Sequence, residues 1–227
     1  DASQAFNSMV VGLRWFETYV PKNLVRKLVK QGEDSISKST VREATVMFAD
    51  IVGFTTQSEL MAAEETADFL NEHFSRLSGC IEAENGTIDK FIGDSIMAFW
   101  GAPEVQPDHA SRACRAALEI RKVAARENLK RRAQGLAPIR LRVGIHTGEV
   151  IVGNIGAPGR INYTIVGDTV NTANRLEQLG KSVDSGAANV AIVISGATHD
   201  KVQGLESHNV GTQAIRGRES ETPIYVL

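Results

Sequence analysis

Apolar and polar positions follow two periods along this chain, and their order predicts its elements. EATVMFADIVGFT, residues 43–55, holds a continuous run of apolar, often branched positions that ends at Gly53. That is the pattern of a central strand buried on both faces, with Asp50 near its exit. From residue 64, EETADFLNEHFSRLSGCIEAENG places Leu70, Phe74, Leu77 and Ile81 at spacings of four, three and four, which predicts an amphipathic helix. DKFIGDSIMAFWG, residues 89–101, reads as two strands joined at Gly93-Asp94. A second helix is predicted from Pro107 to about Arg132, with a small face made of Ala110, Ala113, Ala117 and Ala124. IRLRVGIHTGEVIVGNIG and INYTIVG read as three strand-like pieces punctuated by glycine. A third helix is predicted to start at Asp168, a good N-cap, and to stop at Gly180. ANVAIVIS then reads as a strand before a short helix, and HNVGTQAIR with TPIYVL as a terminal strand pair.

Strands and helices alternate, but the hairpins between them exclude a purely parallel doubly wound sheet. The expected class is α+β, with helices packed on a mixed or antiparallel sheet. Ahead of this domain, FNSMVVGLRWFETYVPKNLVRKLVKQG carries an apolar stripe of Val20, Leu24, Val25, Leu28 and Val29 around Pro21. Pro21 reads as a break or as the first turn of a new helix. QGEDSISKST follows as a polar, turn-rich linker. Residues 1–42 are therefore expected to form a helical segment and linker, either an accessory helix or a signal-transmitting element, and residues 43–227 the main domain. The chain opens on Asp rather than Met, so it reads as part of a longer protein in which an upstream regulatory or membrane domain is open.

Composition changes this picture little. With 42% hydrophobic and 23% charged residues, the chain has the make-up of an ordinary globular protein. A net charge of −2 supplies no electrostatic footprint for nucleic acid, and the basic run at 130–132 reads as a solvated helix end. Cys80 and Cys114 lack metal-ligand spacing and read as core residues from a reducing, cytoplasmic compartment. No apolar run approaches the roughly 20 residues that span a bilayer.

The candidate chemistry rests on two carboxylates. Asp50 ends one strand and Asp94 tips the next hairpin, so if the strands are neighbours both converge at one end of the sheet. Such a pair can share divalent cations, and two cations suit phosphoryl chemistry. Gly53, Phe54 and Thr55 follow at a glycine turn entering a helix, where backbone N–H groups can cradle phosphate. Asn171 and Arg175, four apart, project from one helical face. An amide can orient a sugar oxygen and a guanidinium can brace a transferring phosphoryl group, although spacing alone favours an ordinary surface arginine.

Read in order, FADIVGFT, KFIGDSIMAFWGAP, RVGIHTGEVIVGNIG and YTIVGDTVNTANRLE closely resemble the class III nucleotidyl cyclase catalytic domain, over roughly residues 43–227. The resemblance implies a ferredoxin-like βαββαβ core with additional strands and helices, and active sites between two copies paired head to tail in a homodimer. It makes Asp50 and Asp94 the ligands of two cations per site, Mg²⁺ or Mn²⁺, with the backbone carbonyl of Ile51 as a further ligand. Asn171 would position the ribose and Arg175 would stabilise the transition state, both from the opposite subunit.

Lys90 matches the position that is lysine in adenylyl cyclases and commonly glutamate in guanylyl cyclases. Its partner, an aspartate in many relatives, is matched by Thr164, as in a bacterial-type branch. The implied activity is conversion of ATP to 3′,5′-cyclic AMP and pyrophosphate. Where many relatives place a lysine on the triphosphate, Arg216 is the closest match, with Arg218 as the alternative register. Glu149 stands where some relatives carry a phosphate-binding arginine and is given no role. A diguanylate cyclase or palm-type polymerase fits less well, lacking the Asn171/Arg175 helix. A catalytically silent regulatory module would be expected to lose Asp50, Asp94, Asn171 or Arg175, and all four are present.

Overall fold

The computed structural model describes residues 2–16, 39–183, 189–213 and 221–227. The stripe from Val20 to Val29, most of the linker, Arg216 and Arg218 lie outside the described residues. In chain order the elements are α1 (Ala2–Phe16), β1 (Thr40–Ile51), α2 (Phe54–Ser58), α3 (Ala63–Ala83), β2 (Thr87–Ile92), β3 (Ser95–Trp100) and α4 (His109–Ala133). They continue as β4 (Leu141–Ala157), β5 (Arg160–Val166), α5 (Asp168–Val183), β6 (Val190–Ser195), α6 (Gly196–His199), β7 (His208–Gln213) and β8 (Thr222–Val226).

One mixed sheet orders its strands β2-β3-β1-β4-β6-β8-β7, and β5 pairs with β4 off that path. Within β1-α3-β2-β3-α4-β4 the strand order is that of the ferredoxin-like core, with β1 antiparallel to both β3 and β4. β6 adds parallel to β4, and β8 and β7 follow antiparallel. The class is α+β, as the alternation of patterns predicts.

β1 is central, and its side chains feed both layers, which is why its sequence reads as one unbroken apolar run. Met47, Ala49 and Ile51 join the layer under α3 and α4, with Leu77, Ile81, Ala113, Ala117 and Ile120. Val46 and Phe48 join the opposite layer with Val150, Val152, Ile165 and Ala173 of β4, β5 and α5. Cys80 and Cys114 are both free and buried in the first layer. The 130–132 basic run occupies the last turn of α4, where cations meet the negative end of the helix dipole.

Two elements differ from the expectation. The three glycine-punctuated pieces are two strands, because β4 runs unbroken for 17 residues. All of β1, from Thr40 opposite Val152 to Ile51 opposite Leu141, pairs along it, so the ladder overrides the local preference of its glycines. Likewise α5 does not stop at Gly180 but continues to Val183. Gly180 is instead a packing glycine, since a Cβ there would lie 3.2 Å from the Arg142 stem.

Gly144 is the tightest such contact. A Cβ on it would fall 2.1 Å from the Glu177 nitrogen and 2.4 Å from the Ala173 carbonyl oxygen, so backbone meets backbone where α5 crosses β4. Gly144→Ala is expected to cost roughly 3 kcal/mol or more, because neither element can yield as a flexible side chain would. Chemical denaturation of the variant checks this, and wild-type stability would contradict the contact.

Candidate active site

Strand register brings the two predicted carboxylates together. Ala49 pairs with Ile96, so Ile51, two residues on, comes level with Asp94 at the β2–β3 turn. The Ile51 backbone N–H donates to Asp94 Oδ2 at 3.2 Å. Asp50 has the parity of Val46 and Phe48 and points towards α5, opposite Arg142 in the β1–β4 ladder. Gly53 then turns the chain in the left-handed region, φ 73°, as the cap of α2.

These residues line an open cleft of about 870 Å³. Its wall runs from Asp50 through Ile51, Val52, Gly53 and Phe54 to Thr55, with Asp94 beside Ile51, and Arg140, Arg142 and Lys181 add cationic residues to the lining. Phe54 takes part through its backbone, because its ring is buried and stacks on Phe69 with centroids 5.9 Å apart.

Arg142 and Glu177 escaped the sequence reading. Arg142 Nη2 donates to Asp50 Oδ2 at 2.6 Å, and its Nε donates to Glu177 Oε1 at 2.5 Å. Glu177 lies on the buried face of α5 and Arg142 within β4, and both are almost wholly buried. The available signals were an arginine inside the apolar run LRVGI and a glutamate next to Leu176 on an apolar helix face. Desolvation pushes the Asp50 carboxyl up to about 7, the nearby Asp94 and Glu177 charges push the same way, and Arg142 partly offsets them.

An Asp50 carboxylate destabilised by its burial and by the Asp94 charge beside it fits a divalent cation, which would relieve that repulsion. Among the described residues no group of three or more His, Cys, Asp or Glu side chains gathers to hold a metal. Two carboxylates and a backbone carbonyl are nonetheless a sufficient protein share for Mg²⁺, whose other positions go to water and phosphate.

Of the remaining site residues, Asn171, Arg175, Lys90 and Thr164 are described and fall elsewhere, and none of these four lines the cleft. Asn171 is exposed and Arg175 half-buried on α5, while Leu176 and Ala173 face inward. Lys90 on β2 and Thr164 on β5 are brought together through Asp89, which the sequence reading passed over. Thr164 Oγ1 donates to Asp89 Oδ2 at 3.0 Å, and Lys90 Nζ lies 3.2 Å from the same oxygen. Glu149 is exposed, and its backbone carbonyl accepts from Thr169 Oγ1 at 2.6 Å.

With this geometry the chain can be placed among known proteins. Residues 36–227 match the adenylate and guanylate cyclase catalytic domain, and the chain belongs to that family. It is 41% identical over 211 residues to adenylate cyclase 1 of Rhizobium meliloti (strain 1021), covering 92% of this chain and 31% of that protein. It is 34% identical over 183 residues to an adenylate cyclase of Anabaena cylindrica, covering 78% of this chain and 36% of that one. The chain thus spans about a third of the length of these relatives. Among solved structures it resembles the adenylyl cyclase CyaB from P. aeruginosa, at TM-score 0.75 and 36% identity, covering 83% of this chain and 95% of that one. It also resembles the guanylyl cyclase Cya2, at TM-score 0.72 and 34% identity, covering 83% and 92%. Among the described residues no helix is long and apolar enough to cross a membrane.

Arg142→Met is expected to cost about 3–5 kcal/mol, because it strands the buried Glu177 and the half-buried Asp50 without their counter-charge. Arg142→Met combined with Glu177→Met should cost less than the single change. Urea unfolding of both variants checks the order, and a double variant less stable than the single one would contradict the pairing.

Proposed function

We propose that this chain carries the catalytic domain of an adenylyl cyclase, converting ATP to 3′,5′-cyclic AMP and pyrophosphate at sites completed between two copies of itself. One observation carries the reading. The cleft holds Asp50 and Asp94, while Lys90, Thr164, Asn171 and Arg175 all lie outside its wall. A single copy therefore does not offer every required group to one nucleotide, whereas two copies paired head to tail offer two complete sets.

In such a site Asp50, Asp94 and the Ile51 carbonyl would hold two divalent cations, Mg²⁺ or Mn²⁺. Bound there, the cations would supply Lewis-acid activation of the ribose 3′-oxygen and charge neutralisation on the phosphates. The chain's own groups do the rest. The amides of Gly53, Phe54 and Thr55, at the N-terminal end of α2 in the cleft wall, lack intrahelical acceptors and would receive phosphate oxygens. Arg140 and Lys181 add positive charge to the same wall, the part also proposed for Arg216. Asn171 of the opposite copy orients the ribose. The 3′-oxygen attacks the α-phosphorus, its proton passes to a carboxylate, water or phosphate oxygen, and the bond to the β-phosphate oxygen breaks. Arg175 stabilises the charge that develops. Lys90 donates to adenine N1, and Thr164 accepts from N6.

We also assign residues 43–227 to catalysis and residues 1–42 to signal transmission. Exposed Phe6, Met9 and Val11 on α1 suit a helix that packs outside the domain.

Asp50→Asn and Arg175→Ala should each lose at least about a hundredfold in turnover. Mixing the two inactive proteins should restore part of it, since one of the two sites in a mixed dimer is intact. Cyclic AMP production from ATP measures this, and mixtures that stay silent despite proven mixed dimers would sink the shared site. Removing residues 1–38 should change turnover per assembled dimer, and equal turnover would refute signal transmission by that segment.

A further inference from the structure

We propose that Asp89 is a specificity-determining residue that fixes the hydrogen-bond polarity of Thr164, and so makes the Lys90/Thr164 pair read adenine and reject guanine. The inference rests on the adenylyl cyclase reading and deepens it. A threonine hydroxyl both donates and accepts, so by itself it is a poor discriminator between the N6 donor of adenine and the O6 acceptor of guanine. Asp89 removes that ambiguity. Its side chain is 1% exposed, and one oxygen, Oδ2, receives both the Thr164 hydroxyl at 3.0 Å and the Lys90 ammonium at 3.2 Å.

A carboxylate only accepts, so the single hydrogen of Thr164 is committed to Asp89, and only lone pairs remain for a ligand. The Lys90 ammonium spends one of its three hydrogens on the same oxygen and keeps the others as donors. The pair therefore presents an acceptor and a donor, complementary to the N6 and N1 of adenine. Guanine presents the opposite polarity at both positions.

The local backbone is built for this arrangement. In a regular strand Asp89 and Lys90 would point to opposite faces of β2. The β2–β3 ladder skips a residue here: Ile88 pairs with Ala98 and Lys90 with Met97, leaving Asp89 as the extra residue of a bulge. Bulges re-aim side chains, and this one lets neighbouring acidic and basic groups meet. Thr164 in turn is 6% exposed on β5, so its hydroxyl is largely shielded from water that could compete for Asp89. Burial pushes the Asp89 carboxyl up, while the Thr164 hydrogen bond and the Lys90 charge favour its ionised, acceptor-only form.

The test compares wild type, Asp89→Asn, Thr164→Val and the double variant by kcat/KM for ATP and for GTP. It adds equilibrium binding of 3′-deoxy-ATP and 3′-deoxy-GTP, which cannot cyclise. Asp89→Asn is nearly isosteric, but its amide can donate to Thr164 and release the hydroxyl hydrogen towards the purine. The expected result is a fall in the ATP:GTP ratio on the order of tenfold, the value of one net hydrogen bond. A similar fall is expected in Thr164→Val, with no further fall in the double variant. A merely structural role would lower both nucleotides together and leave the ratio alone. An unchanged ratio in Asp89→Asn, or two losses that add, would overturn the proposal. Should Asp89→Asn not fold, an unchanged ratio in Thr164→Val overturns it equally. If the wild type turns over neither nucleotide, the cyclase reading falls, while the binding ratio of the deoxy analogues still decides the role of Asp89.

Discussion

At Gly144 the backbones of α5 and β4 touch with no room for a methyl group between them. That contact fixes the height and rotation of α5 on the sheet, and the cleft inherits both. Glu177, whose own nitrogen is part of that contact, comes down over Arg142, and Gly180 leaves a channel for the arginine stem. Arg142 is cross-strand from Asp50, so the helix, the arginine and the first carboxylate are set by one approach distance. A bulkier residue at 144 would lift the helix and separate Glu177 from Arg142.

The electrostatics follow from the same seat. Asp50 lies partly out of water beside Asp94, an arrangement that costs free energy while both are charged. Arg142 moderates that cost. Its tie to Glu177 matters because a guanidinium held by Asp50 alone would have to find a new partner whenever the carboxylate turned to a cation. With Glu177 on Nε and Asp50 on Nη2, Arg142 keeps a buried partner in either case. The arginine is thus a resident counter-charge whose position does not depend on what the carboxylates hold.

Much of this was legible in the sequence because periodicity and punctuation carry it. The buried strand, the Gly93-Asp94 hairpin and the amphipathic stripe through Leu77 and Ile81 are local signals, and the convergence of Asp50 with Asp94 needed only that β1 and β3 be neighbours. What escaped reading depends on contacts between distant segments. The glycines of β4 look like breaks until β1 is laid along them, and Gly180 looks like a helix stop until Arg142 is placed beneath it. Arg142 and Glu177 are 35 residues apart, and nothing in either local pattern names the other. Asp89 was hidden differently, since a strand period assigns it to the face opposite Lys90, and only the bulge places the two together.

The placement of groups within one chain also bears on control. The carboxylates belong to the β1 exit and the β2–β3 turn, whereas Asn171 and Arg175 belong to the outer face of α5, away from the cleft of their own copy. In the proposed dimer, the distance between a bound α-phosphate and Arg175 is then a property of the interface rather than of either fold. Positioning of that kind is worth several kcal/mol of barrier and decays within about an ångström of misplacement. A small rotation of one copy against the other would therefore alter turnover steeply while leaving each domain intact. Any segment that couples the two copies ahead of β1 acts on the most sensitive coordinate of the site without touching the nucleotide.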